Sequence, residues 1–508
     1  MQCWRNRAGL NRLQPDIPML DSIDSVRLSV AGRTAPGRKS ALGQFFTPAS
    51  TARFMAGLFE AKECEQARLL DAGAGIGSLS AAFAERREGL GIRQLHIEAF
   101  EQDESIHPEL FATLTRSLRA CDGAFDIAGG DFIEAAVNRI QFDARPSFTH
   151  AILNPPYKKI ASDSRHRLLL RQAGIEAGNL YSAFVALALD LMAKGGQLVA
   201  IVPRSFCNGP YYRPFRERIL ERAAIRRIHL FDSRTTAFKD DGVLQENVII
   251  VLERDALQGP VTISTSTDDL FSDLQVHVHS FERIVFPGDS ERFIHVPTTE
   301  QRCMLEDLPA ARFSLAELGI QVSTGPVVDF RLKSHLRAWP EAQIAPLLYP
   351  GHFDAAGLHW PKPEFKKANA IALNVESAKW LFPTGHYCVV RRFSSKEEVR
   401  RVVAHHVSPT MFPGIEMLGF ENHLNVFHVG KRGLDESLAV GLSVYLNSTA
   451  VDESFRRFNG HTQVNATDLR LIKYPSVQIL TQLGEWRLGL DGTADQRQID
   501  ETVMAALQ

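Results

Sequence analysis

Seven short apolar runs alternate with helical patterns between residues 67 and 252, and this alternation constrains the fold more than any other feature. The predicted strands cover 67–72, 95–101, 125–131, 148–154, 197–203, 225–231 and 247–252. The predicted helices cover 79–87, 109–119, 180–194 and 212–222. Alternating β and α units predict an α/β fold with a doubly wound, mostly parallel sheet of seven strands. No obvious helix joins the last two strands, so we expect the final strand to run antiparallel.

The 508 residues are too many for one hydrophobic core of ordinary size. Beyond residue 258 the strands become short and irregular, and a late helical pattern covers 434–455. We therefore expect a polar arm over 1–40, an α/β domain over 41–257 and a mixed α+β domain over 258–508. The change in pattern places the second boundary within 255–312.

The net charge of −2 gives no overall basic character, so a nucleic-acid partner requires local positive charge. The six cysteines are scattered without a Cys-x-x-Cys pair, which argues against zinc and disulfides and fits a reducing cytoplasm. The first forty residues contain no continuous apolar stretch, and no apolar run reaches 18 residues. We expect neither a signal peptide nor a membrane span.

The predicted strand 148–154 ends abruptly in Asn154-Pro155-Pro156-Tyr157. The prolines remove backbone donors and fix φ, so the strand ends in a rigid loop at its carboxyl end, where open α/β sheets bind ligands. Such a loop holds an amide oxygen, a carbonyl oxygen and an aromatic ring in fixed geometry. Two acceptors and a flat ring suit chemistry on a planar aromatic amine. A proline-rich turn without chemistry explains the tetrapeptide alone equally well.

A glycine-rich turn follows the first predicted strand and contains Asp71, Ala72, Gly73, Gly75 and Gly77. Glycines allow a tight turn and a close approach of the backbone to a ligand, and the next helix presents free N–H groups. A nucleotide-like ligand is the expected occupant. The Gly-x-Gly-x-Gly spacing, with no Gly-Lys-Ser/Thr after it, excludes a P-loop.

Two further acids follow predicted strands. Glu101 lies at the end of the second, where a carboxylate can accept hydrogen bonds from both hydroxyls of a ribose. A helix-capping acid at the surface is the alternative for this residue. Asp131 and Phe132 follow the third strand and combine an acceptor with a ring, which suits the amine and the face of an adenine.

Together these motifs resemble the S-adenosylmethionine-dependent amino-methyltransferases, and most closely the gamma-type DNA adenine-N6 methyltransferases of bacterial restriction–modification systems. The resemblance covers about residues 43–252, in the motif order of that family, and implies a class I methyltransferase fold. It implies that 41–257 is the catalytic domain and that S-adenosylmethionine is the cofactor. The implied cofactor-binding residues are Gln44, Phe45, Thr47, Pro48, Asp71, Ala72, Gly73, Gly75, Gly77, Glu101, Asp131, Phe132 and Asn154.

The resemblance also implies that Asn154, Pro155, Pro156 and Tyr157 are the catalytic tetrapeptide. An adenine amine is a poor nucleophile because its lone pair is delocalised into the ring. Hydrogen bonds to the two acceptors of the loop would localise that pair, and no metal is required. The base must leave the duplex to react, and Tyr157 and Phe238 would then stack on its two faces. A surface phenylalanine packed under a loop is the alternative for Phe238.

Six cationic residues follow the tetrapeptide and could grip phosphates: Lys158, Lys159, Arg165, His166, Arg167 and Arg171. Among them we expect Lys158, Lys159 and Arg165 to contact DNA phosphates. A solvated helix face explains them equally well. The domain over 258–508 is the expected target-recognition domain, because its segment 321–330 resembles the opening of such domains. Segment 459–470 carries side chains that can pair with base edges, or forms a capped loop.

We therefore expect a site-specific DNA methyltransferase that modifies N6 of a flipped adenine in double-stranded DNA. The expected enzyme is a cytoplasmic monomer, protects DNA from a separate cognate restriction endonuclease and carries no fused nuclease. An RNA or protein-glutamine methyltransferase is the main alternative. A dinucleotide-dependent oxidoreductase leaves Asn154–Tyr157 unexplained, and the intact tetrapeptide argues against an inactive DNA-binding subunit.

Overall fold

The structure is a computed structural model, and it divides the chain into two compact units, Met1–Glu300 and Gln301–Gln508. The residues it describes are 3–7, 19–33, 46–62, 64–119, 121–142, 147–231, 246–298, 308, 310–354, 357–394, 398–458 and 463–508.

The first unit contains one ten-stranded mixed sheet. Its strands are β1 (Cys3–Arg7), β2 (Gln66–Ala72), β3 (Gln94–Phe100), β4 (Asp122–Ala128), β5 (Phe148–Leu153), β6 (Met192–Pro203), β7 (Ala223–Phe231), β8 (Asn247–Arg254), β9 (Val261–Ser266) and β10 (Gln275–His279). Their order is β1-β4-β3-β2-β5-β6-β8-β7-β9-β10. The central strands β4-β3-β2-β5-β6 are parallel, and β8 runs antiparallel to both β6 and β7 as predicted.

Helices cover both faces of this sheet. They are α1 (Met19–Arg33), α2 (Ala49–Gly57), α3 (Ser78–Arg86), α4 (His107–Ser117), α5 (Phe132–Phe142), α6 (Arg165–Gln172), α7 (Leu180–Leu191) and α8 (Arg213–Arg222). Successive side chains of β5 point to opposite faces, so Ala151 and Leu153 pack in one core and Ile152 packs in the other. Strands buried on both faces are continuously apolar, which explains why their runs were visible in the sequence. The α/β prediction is confirmed.

The sheet has ten strands rather than the predicted seven, and part of the difference lies in the segment expected to be an arm. β1 pairs antiparallel with β4, at the edge of the sheet. α1 buries Leu20, Ile23 and Val30 in the core. Arg27 shares this buried face and pairs with Asp24 over 2.7 Å. A charged residue among the apolar positions hid the amphipathic pattern of this helix.

The remaining extra strands lie beyond residue 258, and the first unit extends to Glu300, within the interval 255–312 expected for the boundary. β9 pairs parallel with β7, and β10 pairs antiparallel with β9. β9 has a polar sequence because its buried hydroxyls have hydrogen-bond partners within the unit. Ser264 and Ser266 lie 3.0 and 3.2 Å from the two ring nitrogens of buried His229. Buried polar groups that are paired in this way cost little, and they conceal a strand from a search for apolar runs.

The second unit combines small sheets with helices. Its strands are β11 (Gln321–Thr324), β12 (Leu336–Arg337), β13 (Ile344–Leu348), β14 (Phe353–Asp354), β15 (Gly357–Leu358), β16 (Ala370–Ala372), β17 (Leu381–Pro383), β18 (Tyr387–Arg391), β19 (Ala404–Val407), β20 (Met417–Phe420) and β21 (Leu424–His428). They form sheets ordered β11-β21-β18-β19, β12-β16-β13-β20-β17 and β14-β15. Its helices are α9 (Glu436–Leu446), α10 (Thr449–Phe458), α11 (Ala466–Leu471), α12 (Val477–Leu488) and α13 (Gln496–Leu507).

The single helix predicted over 434–455 is two helices in the structure, α9 and α10. The break lies at Asn447, whose side-chain amide both accepts from and donates to the backbone of Ala404, at 2.9 and 2.8 Å. This side chain pairs with β19 as another strand would, and the helix ends there. Among the described residues, no helix has the length and apolarity needed to cross a lipid bilayer.

Two glycines allow α9 and α12 to pack with their backbones in contact. A Cβ atom at Gly441 would lie 1.7 Å from the carbonyl oxygen of Leu480, and one at Gly484 would lie 1.8 Å from that of Ser437. Both are far below van der Waals contact with rigid backbone. Any side chain at these positions would therefore force the two helices apart.

We predict that Gly441→Ala lowers the free energy of unfolding of the second unit by at least about 2 kcal/mol, because overpacking against backbone cannot be relieved by a rotamer change. Urea titration followed by tryptophan fluorescence measures this, since Trp339, Trp360, Trp380 and Trp486 lie in that unit. In the control Gly489→Ala, the new Cβ makes an ordinary 3.4 Å contact. An equal loss in both variants would contradict the packing argument.

Candidate active site

The site lies where the sheet changes its direction of winding. β2 stands between β3 and β5, and its pairing with β5 is limited to Leu69 with His150 and Leu70 with Ala151. The two strands end side by side, and the loops that leave them surround an open cavity of about 900 Å³. Ligands of open α/β sheets bind at this position. The lining residues are Phe46, Thr47, Gly73, Ala74, Gly75, Ile76, Ser78, Leu79, Phe100, Glu101, Gln102, Gly130, Asp131, Phe132, Ile133, Asn154, Pro156, His166, Leu180 and Phe184.

The glycine-rich turn forms the floor of the cavity. The amides of Gly73 and Ala74 both donate to the carbonyl oxygen of Phe100 at 2.9 Å, which attaches the turn to the end of β3. Gly75 has φ of +57°, and a Cβ atom there would lie 3.2 Å from the ring of Phe46. This position requires glycine both for its backbone conformation and for the close approach of the ring.

Glu101 joins the turn to the end of β3 through its carboxylate. Oε2 accepts from the amide of Gly75 at 2.8 Å, and Oε1 accepts from the amide of Asp103 at 2.7 Å. Burial raises the pKa of this carboxyl, although the two amides oppose the rise. Each oxygen can accept a second hydrogen bond, so the group is held in place and can still accept from two ligand hydroxyls.

Asp71 does not line the cavity and lies fully buried behind the turn. Its Oδ2 accepts from the Ser80 hydroxyl at 2.6 Å, near the start of α3. Burial raises the pKa of this carboxyl to about 7. Within the described parts of the chain, its Oδ1 has no hydrogen-bond partner. Asp71 therefore holds the glycine-rich turn against α3 through its hydrogen bond with Ser80.

Asp131 and Phe132 form the wall at the end of β4. Asp131 Oδ1 accepts from the amide of Glu134 at 3.0 Å and so caps α5, while Oδ2 lies 2.5 Å from Nε2 of His166. The ring of Phe132 packs edge-on against Phe100 at 5.1 Å and tilted against Phe184 at 4.8 Å. A carboxylate therefore stands beside a group of rings at this end of the cavity.

The side-chain amide of Asn154 also lines the cavity, and it is buried. Its Nδ2 donates to the hydroxyl of Thr47 at 3.0 Å, and its Oδ1 accepts from the hydroxyl of Tyr157 at 3.4 Å. The same tyrosine hydroxyl lies 3.3 Å from the carbonyl oxygen of Ile201 on β6. Burial raises the pKa of Tyr157 far above its ordinary value, so it stays neutral. Segments far apart in the chain thus fix the orientation of one amide.

The structure brings together most of the predicted site residues. Those that line the cavity are Thr47, Gly73, Gly75, Glu101, Asp131, Phe132, Asn154 and Pro156. Pro48, Gly77, Pro155 and Tyr157 lie close to these residues in the chain without lining the cavity, and Asp71 and Ala72 end strand β2 beside it. Gln44, Phe45 and Phe238 lie outside the described residues. Thr47 binds Asn154, and Pro48 occupies the N-cap position of α2.

Some lining residues were not predicted. Phe46 and Phe100 lie directly beside predicted site residues, so an apolar residue next to a motif was the available signal, and Phe184 lies in the predicted helix 180–194. His166 gave no such signal, because it was grouped with the cations after the tetrapeptide. Leu180 begins α7, directly after its N-cap Asn179.

The cationic residues after the tetrapeptide are mostly paired with acids. Arg165 binds Glu134 at 2.5 Å, and Arg167 and Arg171 bind Glu176 at 2.8 and 2.9 Å. This arrangement favours a solvated helix face for these arginines. Lys158 and Lys159 are exposed, in the loop that follows the tetrapeptide.

We predict that Asp71→Asn becomes more stable relative to wild type as pH rises. The unfolded carboxyl loses its proton near pH 4 and the folded one near pH 7, so wild-type stability falls between these values. The asparagine stays neutral, and the stability difference should grow by roughly 3 kcal/mol between pH 5 and pH 8, at about 1.4 kcal/mol per pKa unit. Denaturant titrations at both values measure it. Asp163→Asn, at an exposed position, is the control; a pH-independent difference for Asp71→Asn would contradict the prediction.

Comparison with known proteins identifies the family. The Eco57I restriction-modification methylase family matches residues 85–238. The chain is 51% identical over 490 residues to the Type II methyltransferase M.BsuBI of Bacillus subtilis, covering 95% of this chain and 97% of that protein. It is 41% identical over 498 residues to the Type II methyltransferase M.PstI of Providencia stuartii, covering 96% and 97%.

Among solved structures, the cryo-EM structure of a DrdV–DNA complex resembles this chain with a TM-score of 0.50. The sequences are 14% identical, and the likeness covers 92% of this chain and 59% of that one. At this identity the likeness concerns the fold alone.

The cavity fits S-adenosylmethionine chemically. Carboxylates of Glu101 and Asp131 can accept from ribose hydroxyls and from a purine amine, and the rings of Phe132 and Phe184 offer apolar faces. The turn at Gly75 leaves no room for a Cβ atom, so the backbone itself approaches the cavity. The chain belongs to the Type II methyltransferases of restriction–modification systems, and its cofactor is S-adenosylmethionine.

Proposed function

We propose that this protein is a site-specific DNA methyltransferase that transfers the methyl group of S-adenosylmethionine to N6 of an adenine in double-stranded DNA. The observation that carries the proposal is the position of the Asn154 amide, which lines the same cavity as Gly73, Gly75 and Glu101. A hydrogen-bonding site for an amine and a nucleoside pocket therefore share one space. The relatives in restriction–modification systems support DNA as the substrate.

The tetrapeptide activates the target amine through hydrogen bonds. Asn154 Oδ1 and the carbonyl oxygen of Pro155 accept from its two N–H groups, which localises the nitrogen lone pair and offsets the positive charge that grows during transfer. S-adenosylmethionine supplies an electrophilic methyl group on its sulfonium. The remaining task of the protein is positioning, since in-line transfer depends on the alignment of both reactants.

Tyr157 provides a stacking surface for a base that has left the duplex. Its hydroxyl is anchored on Ile201 and Asn154, and its ring packs edge-on against Tyr181 at 6.1 Å. A fixed ring can recover roughly 1–3 kcal/mol by stacking, against a cost of a few kcal/mol for flipping. Phe238 on the opposite face of the base completes this proposal.

The proposal assigns sequence reading to the second unit. The exposed Lys158 and Lys159 would contact the DNA backbone next to the flipped base. In segment 459–470, Asn465 caps α11 together with Asp468, and Gln463 Oε1 lies 3.3 Å from Nη2 of Arg392. The capped-loop interpretation therefore accounts for Asn465.

The enzyme acts as a cytoplasmic monomer and protects DNA from a separate cognate endonuclease.

Two alternatives from the sequence fare differently. An RNA or protein-glutamine methyltransferase can use the same amide chemistry, and the restriction–modification relatives favour DNA over it. The oxidoreductase alternative is wrong, because the chain belongs to a methyltransferase family.

We predict that Asn154→Ala lowers methyl transfer at least 100-fold, because removing one preorganised hydrogen bond to a charged transition state costs 10²–10³ in rate or more, by order of magnitude. Cofactor binding should be retained, because the other cofactor-binding residues of the proposal are unchanged. Labelled S-adenosylmethionine with plasmid DNA measures transfer, and calorimetry measures affinity. Asn138→Ala, on the exposed face of α5, is the control and should keep full activity.

Modification-sensitive sequencing of DNA from cells that express the wild-type protein identifies the base and the target site together. We expect N6-methyladenine at one defined sequence. Methylation of cytosine, or transfer of the labelled methyl group only to RNA or protein, would refute the adenine–DNA proposal. Wild-type turnover by Asn154→Ala would refute the proposed role of the Asn154 amide and leave the proposed activity standing.

We also predict that Thr47→Val slows methyl transfer about 10–100-fold, because the buried Asn154 amide loses its hydrogen-bond acceptor at a cost of roughly 1–3 kcal/mol. Thr47→Ser should restore most of the rate. Thr51→Val is a matched control, because the buried Thr51 hydroxyl has no hydrogen-bond partner among the residues that the structure describes. Single-turnover transfer beside cofactor binding separates this effect from a loss of affinity; an unchanged rate in Thr47→Val would contradict it.

A further inference from the structure

His166 lies in the first turn of α6 and lines the cavity, as the Asn154 amide does. It is half-buried, and its Nε2 lies 2.5 Å from Asp131 Oδ2. A carboxylate oxygen accepts, so Nε2 carries the hydrogen and donates it. The sequence had grouped His166 with cations that could grip phosphates, whereas the structure commits this nitrogen to a carboxylate of the cavity wall.

The segment that carries His166 is held against the cavity at both ends. Where the segment begins and ends, the amide of Ile160 donates to the carbonyl oxygen of Gly178 at 2.9 Å, and the amide of Leu180 donates to the carbonyl oxygen of Lys158 at 2.8 Å. At the start of α6, Arg165 binds Glu134 at 2.5 Å. The position of His166 therefore follows from backbone hydrogen bonds and a second contact with the first turn of α5.

The pair with His166 completes the orientation of Asp131. One carboxylate oxygen is fixed by the amide of Glu134 and the other by the imidazole of His166. With both oxygens fixed, the carboxylate cannot rotate, and each oxygen keeps capacity to accept another hydrogen bond from the cavity. An acceptor oriented in advance binds a donor without the entropy cost of ordering it.

We propose that His166 is a positioning residue of the nucleoside pocket, which holds Asp131 ready to accept from the exocyclic amine of the cofactor's purine. The inference rests on the proposed assignment of this cavity to S-adenosylmethionine. His166 therefore has a different role from Lys158 and Lys159, because a histidine paired with a carboxylate gives little net attraction for a phosphate.

Calorimetric binding of S-adenosylmethionine to the full chain, without DNA, tests the proposal. His166→Ala should weaken binding about tenfold. His166→Gln should stay within about threefold of wild type, since its amide nitrogen can replace Nε2, while the shorter His166→Asn should behave like His166→Ala. Gln172→Ala is the matched control from the same helix, and because the Gln172 side chain is exposed and does not line the cavity it should bind as wild type does.

Two further measurements test whether His166 acts through Asp131. In a double-mutant cycle, His166→Ala should add no further loss to that of Asp131→Ala. S-inosylhomocysteine, in which an oxygen replaces the purine amine, should bind wild type more weakly than S-adenosylhomocysteine does. This preference should shrink in His166→Ala, whereas a residue that merely supports the fold would weaken both ligands equally.

Several outcomes overturn the proposal. They are wild-type affinity in His166→Ala, equal losses in His166→Gln and His166→Ala, or an unchanged preference between the two ligands. A salt-dependent loss of DNA binding with unchanged cofactor affinity would assign His166 to the phosphate backbone instead. Failure of the proposed function is a separate result: wild type would bind S-adenosylmethionine but place no methyl group on adenine in DNA.

Discussion

The short pairing between β2 and β5 is the constraint on which the site depends. These neighbours share two residue pairs, Leu69 with His150 and Leu70 with Ala151, and the chain then winds away from them in opposite directions. The loops at their carboxyl ends must therefore diverge and leave a space between them. The glycine-rich turn occupies one side and the tetrapeptide the other. Sheet topology thus brings the glycine-rich turn and the Asn154 amide to one cavity, without a contribution from any one side chain.

Within that space, side chains from distant segments fix one another. Asn154 is oriented by Thr47, which lies 107 residues earlier in the chain, and by Tyr157, which is itself anchored on β6. Such hydrogen bonds matter because a buried amide left without a partner costs more than a satisfied one gains. Thr47 is therefore tied to the Asn154 amide, so the segment that carries Thr47 also fixes the orientation of that amide.

The sequence predicted those parts of the fold and site whose cause is local. Seven strands were visible because burial on both faces makes each run apolar, and the turn was visible because Gly75 needs a positive φ. What it missed depends on pairs between distant residues. β9 is polar because His229 pairs with the hydroxyls of two of its serines, and His166 pairs with Asp131, 35 residues away. Spacing along the chain carries no record of such pairs.

Three acids of the site, Asp71, Glu101 and Asp131, show how structure and binding share the same groups. Each uses part of its hydrogen-bonding capacity inside the protein: on Ser80, on two backbone amides, or on a helix N-terminus with a histidine. Burial raises the pKa of Asp71 and Glu101, so their negative charge is costly in the fold. S-adenosylmethionine carries sulfonium and ammonium charges, and nearby carboxylates favour such a ligand through their field. A fold that retains buried acids around a cavity is therefore best matched to a cationic nucleoside, and the energy they cost in folding is partly offset when it binds.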